Sequence, residues 1–114
     1  MLRMRWIPAL LVVFALTGCE KKSDAPAKTA GDGDPNRGRA IYLSNCAACH
    51  SNDPSKDGPL GPAIKGASRE LIEARVLRAS YPPGYTPKRN TKAMPAQPYL
   101  EKSIPDLVAF LNQP

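Results

Sequence analysis

Cys46-Ala47-Ala48-Cys49-His50 decides the fold of this chain of 114 residues, because it gathers most of the chain's reactive side chains in one place. The two thiols stand three residues apart, which puts them within one turn of a helix. The only histidine of the chain follows at once. Outside this string, Cys19 lies far upstream, and Met94 is the only methionine beyond residue 4. We therefore expect the folded part of the chain to be built around the string.

The cysteine–histidine string fits the attachment pattern of haem c. Its two thiols can add to the two vinyl groups on one porphyrin edge while His50 ligates the iron, and the small alanines leave room for that edge. A thioredoxin-like redox pair would require a βαβ pattern, which the sequence does not show. A zinc site would need a fourth ligand, and residues 34–114 hold no further Cys or His. A disulfide between Cys46 and Cys49 would close a very short loop.

Residues 34–114 resemble a class I, single-haem c-type cytochrome. In that family a glycine and an aromatic residue precede the first haem cysteine by eight and four positions, where this chain has Gly38 and Tyr42. The resemblance implies an all-α fold, with three main helices and Pro/Gly-rich loops wrapped around one covalently bound haem. It also implies that Gly38 lets the C-terminal helix approach and pack Phe110 against the first helix. Asp34 and Pro35 are a typical cap and first residue for that helix.

The segment Gly61-Pro62-Ala63-Ile64-Lys65-Gly66 is similar to the family's loop on the proximal side of the haem. The resemblance implies that the Pro62 carbonyl accepts a hydrogen bond from the second imidazole nitrogen, which fixes the histidine tautomer and raises its basicity. It also implies that Ile64 packs on the haem. The neighbouring Gly58-Pro59-Leu60 copies part of the motif, so a register shifted by three residues stays open, as does an ordinary Gly/Pro turn.

Beyond this loop, Ser68 is expected to cap a helix that runs to about Ala79. A long segment over residues 80–98 then contains Met94-Pro95. The family's distal ligand is commonly a methionine followed closely by proline, so the resemblance makes Met94 the second axial ligand. Its soft thioether suits iron and raises the reduction potential, and the lone histidine excludes bis-histidine ligation within one chain. The alternatives are that Met94 only fills the core and that Lys88, Lys92 or an empty site takes its place.

The first 33 residues predict export and anchoring. Residues 1–18 read as a signal peptide, with Arg3 and Arg5 ahead of an apolar run that is too short to span a bilayer. Leu16-Thr17-Gly18-Cys19 is similar to the bacterial lipobox, which implies lipid attachment at Cys19; ordinary signal-peptidase cleavage is the alternative. Residues 19–33 are expected to form a flexible tether with a reach on the order of 20 Å. Glu20 favours the outer over the inner membrane.

Composition sets the outer limits of the function. Apolar residues make up 42% of the chain and charged residues 23%, which excludes a fully disordered chain, and no apolar run is long enough for a membrane span. The formal charge is +6, and loss of the two leader arginines leaves an excess of four positive charges. Such a mild excess predicts acidic protein partners, whereas the basic stripe with interleaved aromatics typical of nucleic-acid binding is absent.

These features predict a lipid-anchored electron carrier on the periplasmic side of a bacterial envelope, with no catalytic residues and no small-molecule substrate. One alternative is a dedicated cytochrome subunit of a dehydrogenase, oxidase or reductase complex. The other is a gas-binding haem sensor, which would require Met94 to be labile or absent from the iron. Tyr81, Tyr85 and Tyr99 are expected either at the distal side of the haem or in surface packing. Five cations are expected either to rim the haem edge and steer partners or to be ordinary solvated surface charges: Lys56, Lys65, Lys88, Arg89 and Lys92.

Overall fold

The computed structural model describes residues 33–114. The predicted signal peptide, the lipidation site Cys19 and nearly all of the predicted tether lie outside these residues. The described chain forms helices and loops only: α1 (Pro35–Asn45), α2 (Ala47–His50), α3 (Arg69–Arg78), a 3₁₀ helix (Pro98–Ser103) and α4 (Ile104–Leu111). The predicted all-α fold is confirmed. None of these helices is both long enough and apolar enough to cross a membrane.

Helix α1 begins as its sequence predicts. The Asp34 carboxylate accepts a hydrogen bond of 2.9 Å from the Asn36 N–H, and Pro35 occupies the first turn, where its missing N–H costs nothing. One face of the helix buries Gly38 and Tyr42. The helix ends at the cysteine–histidine string of residues 46–50, the haem string, where the Cys46 N–H donates to the Tyr42 carbonyl. Helix α1 therefore delivers the first cysteine directly to the site.

Close contact between α1 and α4 is the main packing of the fold. A Cβ atom added at Gly38 would lie 2.0 Å from the Asp106 carbonyl oxygen and 2.8 Å from the Phe110 Cβ. The ring of Phe110 packs on that of Tyr42, with centroids 5.3 Å apart. The predicted role of Gly38 in bringing Phe110 against the first helix is confirmed. Arg37 adds a fork of two hydrogen bonds, at 3.0 and 3.1 Å, to the Asp106 carboxylate.

Helix α3 covers the core from the other side. The Ser68 hydroxyl accepts a hydrogen bond of 3.2 Å from the Leu71 N–H, and Ala79 ends the helix in the left-handed region at φ 50°. The predicted helix from Ser68 to about Ala79 is therefore confirmed. Its buried face packs into one hydrophobic core with residues of α1, α2, the 3₁₀ helix and α4. The buried members of that core are Tyr42, Ala47, Ile72, Val76, Leu100, Ile104, Leu107 and Leu111.

The 3₁₀ helix has no counterpart in the sequence-based prediction. It is joined to α3 by a hydrogen bond of 2.6 Å from the Gln97 N–H to the Val76 carbonyl, and it buries Leu100. Its remaining side chains face outward or are only partly covered. The helices leave two long loop segments, residues 51–68 and 79–97, and both contribute side chains to one cleft next to the haem string.

Candidate functional site

A cleft of about 440 Å³ opens beside the cysteine–histidine string, a size typical of small-molecule and cofactor sites. Its lining residues come from the end of α1, from α2, from residues 60–62, from Leu71 and Arg75 of α3, and from residues 81–99. A smaller cavity of about 60 Å³ is lined by core residues. The two spaces share five lining residues: Cys46, His50, Leu71, Arg75 and Met94.

Cys46 and Cys49 both line the cleft, and their thiols are not bridged to each other. Cys46 is half-buried and Cys49 is exposed. Burial, with a smaller contribution from neighbouring Cys49, raises the pKa of the Cys46 thiol to about 11. Thiol–disulfide exchange centres depend on a lowered cysteine pKa. The thiol chemistry of this cleft therefore differs from that of a thioredoxin-like redox pair.

His50 ends α2 and is buried, with 8% of its surface exposed. Its Nδ1 atom lies 2.8 Å from the carbonyl oxygen of Pro62. Because a carbonyl can only accept, Nδ1 must carry the proton and Nε2 keeps its lone pair. The imidazole is thus presented as a single-nitrogen ligand of fixed tautomer, and the contact is made by Pro62 rather than by Pro59.

Gly61 is a site residue that sequence analysis did not single out. The imidazole of His50 lies directly against it, since a Cβ atom at this position would be 2.4 Å from His50 Cε1. The Gly61 N–H also donates a hydrogen bond of 2.9 Å to the Cys49 carbonyl. Gly61 stands just before Pro62 in the loop motif, which is the one signal for it in the sequence. Its reason, close approach of an imidazole to backbone, appears only in three dimensions.

Tyr42 supports the site from inside the core. Its hydroxyl donates to the Ser51 carbonyl at 2.7 Å and approaches the His50 carbonyl at 3.3 Å. Ser51 adopts a φ of 74°, which a residue with a side chain rarely adopts and which needs support from its surroundings. Burial, the largest cause, raises the pKa of Tyr42 to about 12. The hydroxyl therefore stays protonated and available as a donor.

Met94 lines both the cleft and the smaller cavity, as His50 does. It is partly buried and packs against the core, as does Ile64, which lines the smaller cavity. Of the amines weighed as alternative ligands, Lys88 lines the cleft, but its Nζ donates to the Ala63 carbonyl at 2.8 Å. Lys92 is exposed and does not line the cleft. Met94, unlike either lysine, lines both spaces that His50 lines.

The three tyrosines considered from the sequence all line the cleft. Tyr81 and Tyr85 stack with ring centroids 5.4 Å apart, and the Arg75 guanidinium lies 4.4 Å above the Tyr81 ring. Tyr99 is 71% exposed and its hydroxyl donates to the Gln97 side chain at 2.9 Å. The first pair therefore forms part of a layered wall, while Tyr99 stands at the mouth of the cleft.

Of the five cations expected around the site, Lys88 and Arg89 line the cleft and Lys56, Lys65 and Lys92 do not. Lys56 forms an exposed ion pair of 3.7 Å with Asp53. Arg75 lines the cleft as well, and the sequence analysis did not place it there. The positive charge next to the site is thus concentrated in fewer residues than predicted.

The chemistry of these donors fits a haem. Two thiols, a buried imidazole that presents one nitrogen, and a thioether all line one largely apolar cleft. Within residues 33–114 no group of three or more His, Cys, Asp or Glu side chains is placed to hold a metal ion without such a cofactor. The site therefore matches a flat, apolar, iron-containing group better than a bare cation.

Comparison with known proteins agrees with this geometry. The sequence profile described as cytochrome c matches residues 35–113. A protein named cytochrome c-553-like, from Synechocystis sp. (strain ATCC 27184 / PCC 6803 / Kazusa), is 40% identical over 45 residues. That match covers 40% of this chain and 41% of the relative, so it spans less than half of the relative's length. No solved structure matches the chain.

Proposed function

The chain belongs to the cytochrome c family, and from that premise we propose that it is an electron carrier with one His/Met-ligated haem c. Haem c, an iron-containing porphyrin that is bound covalently to the protein, is the cofactor of this family. When bound, it supplies reversible one-electron chemistry between Fe(II) and Fe(III). The residues of this chain hold the group, set its ligand field and keep water away from it.

Each site residue has a distinct part in this proposal. Cys46 and Cys49 form the thioether links at one edge of the cleft. His50 ligates through Nε2, because Nδ1 is held by the Pro62 carbonyl at 2.8 Å, and a hydrogen-bonded ligand histidine is a better donor. Met94 would supply the second protein ligand, a thioether, which raises the reduction potential. Ile64 packs beside them in the smaller cavity.

The observation that carries the proposal is the shared position of His50 and Met94 on the two spaces that meet at the haem string. With a protein ligand on each side of the iron, no coordination position is left for a substrate or a gas. The tight packing of His50 between Gly61 and the Pro62 carbonyl also keeps the imidazole in one orientation. A centre that rearranges little on reduction suits electron transfer rather than catalysis.

Carbon monoxide tests this proposal against gas binding. The reduced wild-type holoprotein is expected to bind carbon monoxide weakly or not at all, because Met94 holds the sixth position. Met94→Ala is expected to bind it readily and serves as the positive control. Ready binding by the wild-type protein would contradict the carrier proposal and favour a sensor.

Partners of this carrier are proposed to be redox proteins with acidic docking surfaces. Lys88, Arg89 and Arg75 place positive charge at the cleft, and the whole chain carries a formal charge of +6. Opposite charges steer weak, fast encounters and are screened by salt. Electron-transfer rates with an acidic redox partner are therefore expected to fall as ionic strength rises, and rates independent of ionic strength would contradict this part of the proposal.

Location on the periplasmic side of a bacterial envelope is proposed from the N-terminal sequence alone. The apolar run before Leu16-Thr17-Gly18-Cys19 supports export, and the lipobox-like ending supports acylation of Cys19. Several acyl chains on one residue exceed the two signals that stable anchoring requires. Residues 19–33 then act as the tether between membrane and haem domain, and Glu20 favours the outer membrane.

A further inference from the structure

Asp57 and His50 are both hydrogen-bonded to one peptide group, that between Pro62 and Ala63. Its Oδ1 atom accepts a hydrogen bond of 2.7 Å from the Ala63 N–H, and the carbonyl of that peptide, Pro62 O, lies 2.8 Å from His50 Nδ1. The peptide is trans, so it is planar and its N–H and C=O point in opposite directions. A carboxylate and an imidazole therefore grip one rigid group from opposite sides.

The charge of Asp57 matters as well as its position. A hydrogen bond from a peptide N–H to a carboxylate is charge-assisted and polarises the peptide, which makes its carbonyl a stronger acceptor. The Ala63 N–H, followed by Arg89, holds the pKa of the Asp57 carboxyl below its usual range. Asp57 is consequently ionised at neutral pH. A stronger acceptor at Pro62 in turn raises the basicity of His50.

Two cations from the loop segment 79–97 contact this arrangement. Lys88 donates to the Ala63 carbonyl at 2.8 Å, and Arg89 Nη2 lies 3.6 Å from Asp57 Oδ2. The Asp57 side chain is 67% exposed, so the ion pair alone contributes little. What the cations add is orientation: Arg89 faces the Asp57 carboxylate, and Lys88 fixes the next peptide group. Both belong to the segment that carries Met94.

We propose that Asp57 is a positioning residue for His50, acting through the Pro62–Ala63 peptide, and that Lys88 and Arg89, from the loop segment 79–97, stabilise this arrangement. The proposal rests on the proposed function, because it assigns the arrangement to the axial histidine. It joins the two loop segments that carry the haem ligands into one hydrogen-bonded unit. Loss of the Lys88 or Arg89 contact, in the segment that carries Met94, is then expected to weaken the hydrogen bond of His50.

Hydrogen exchange of the His50 Nδ1–H tests the proposal directly. The measurement uses ¹⁵N-labelled holoprotein in the diamagnetic Fe(II) state. Asp57→Ala is expected to speed this exchange about tenfold, because a charge-assisted hydrogen bond to the peptide is lost. Asp57→Asn keeps an acceptor oxygen without the charge and is expected to give a smaller increase. This graded response separates positioning by charge from simple packing.

Asp53 provides the matched control. It lies four residues earlier in the same loop, and its carboxylate accepts hydrogen bonds from Ser55 and pairs with Lys56 instead of contacting Ala63. Asp53→Ala removes the same charge and is expected to leave the exchange within twofold of wild type. An Asp57→Ala exchange rate equal to that of Asp53→Ala would overturn the proposal. So would equal acceleration of the core Cys46 N–H, because that would indicate general destabilisation.

Lys88→Met tests whether the Lys88 contact to Ala63 stabilises this arrangement, with Lys92→Met as its control in the same segment. Lys88→Met is expected to speed His50 Nδ1–H exchange about threefold, and Lys92→Met to leave it unchanged. Equal rates in the two variants would overturn the role of Lys88. The readout reports His50 in one redox state and does not depend on electron transfer, and loss of Met94 ligation would show itself separately as a paramagnetic Fe(II) spectrum. A failure here is therefore distinguishable from a failure of the carrier function, which carbon monoxide binding tests.

Discussion

The hydroxyl of Tyr42 donates a hydrogen bond of 2.7 Å to the carbonyl of Ser51, the residue that follows His50. Ser51 has a φ of 74°, so the chain leaves α2 through a strained residue that this buried hydroxyl supports. Tyr42 also packs its ring on Phe110 of α4. One side chain thus joins the main helix contact to the backbone beside the iron site.

Tyr42→Phe should destabilise the holoprotein by about 1–3 kcal/mol, because it leaves buried carbonyls without their donor while keeping the ring packing. Denaturant unfolding followed by far-UV circular dichroism measures the change. Tyr99→Phe is the control: Tyr99 is 71% exposed, so loss of its hydroxyl, which donates to the Gln97 side chain, should change the free energy of unfolding by less than about 0.5 kcal/mol. Equal effects of the two substitutions would contradict the role of Tyr42.

Wild type and Tyr42→Phe should also differ in how their free energies of unfolding depend on pH. Burial raises the pKa of Tyr42 from 10.0 to about 12 in the folded state, so the folded protein favours the protonated hydroxyl. The stabilisation from this group is complete below about pH 10 and is lost as the pH rises through about 12. The difference in unfolding free energy between wild type and Tyr42→Phe should therefore shrink over this range. A difference in unfolding free energy that stays constant over this range would contradict the raised pKa of Tyr42.

Gly38→Ala should separate α1 from α4. The added Cβ would lie 2.0 Å from the Asp106 carbonyl oxygen, so backbone must move. Such overpacking typically costs about 1–3 kcal/mol, and it outweighs the gain in helix propensity of about 1 kcal/mol. Thermal unfolding of the holoprotein provides the measurement. Arg39→Ala, at the next and exposed position of α1, should stay within about 0.5 kcal/mol of wild type.

Local signals made much of this fold predictable. The Asp34 and Ser68 caps, the spacing of Gly38 and Tyr42 before Cys46, and the Met-Pro pair each lie within a few residues of what they specify. The 3₁₀ helix was not predictable, because the sequence of residues 98–103 is mostly polar. It forms where Gln97 bonds to Val76 and Leu100 enters the core, which are tertiary contacts.

The contacts around Pro62 show the same limit inside the site. The loop motif indicated a carbonyl acceptor near residue 62, but two registers fitted the sequence. Only the folded loop distinguishes them, by placing Gly61 against the imidazole and Pro62 O at 2.8 Å from Nδ1. The Lys88–Ala63 contact joins residues 25 apart in sequence, and no local pattern announces it.

Gly61→Ala should displace the imidazole of His50, the proposed iron ligand. Its Cβ would lie 2.4 Å from His50 Cε1, so the ring must turn or the loop must retreat from Pro62. We expect altered haem absorption and a changed reduction potential in spectroelectrochemistry of the holoprotein. Gly84→Ala is the control, since its Cβ meets nothing within 4 Å; it should cost about 1 kcal/mol for its positive φ and leave the haem spectrum unchanged.

Cys19→Ser should release the protein from membranes. Acylation needs the thiol, and without acyl chains no other anchor is proposed. Fractionation of the bacterial host, with the haem absorbance followed in membrane and soluble fractions, measures the effect. Wild-type protein should stay with the membrane and the variant should move to the soluble periplasmic fraction. Membrane retention of Cys19→Ser would contradict anchoring through this residue.

The optical spectrum of the oxidised holoprotein tests whether both His50 and Met94 ligate the iron. Wild type should show the thioether-to-iron charge-transfer band. Met94→Ala should lose the band while the haem remains covalently bound through Cys46 and Cys49. A wild-type spectrum without the band, or a Met94→Ala spectrum that retains it, would contradict His/Met ligation.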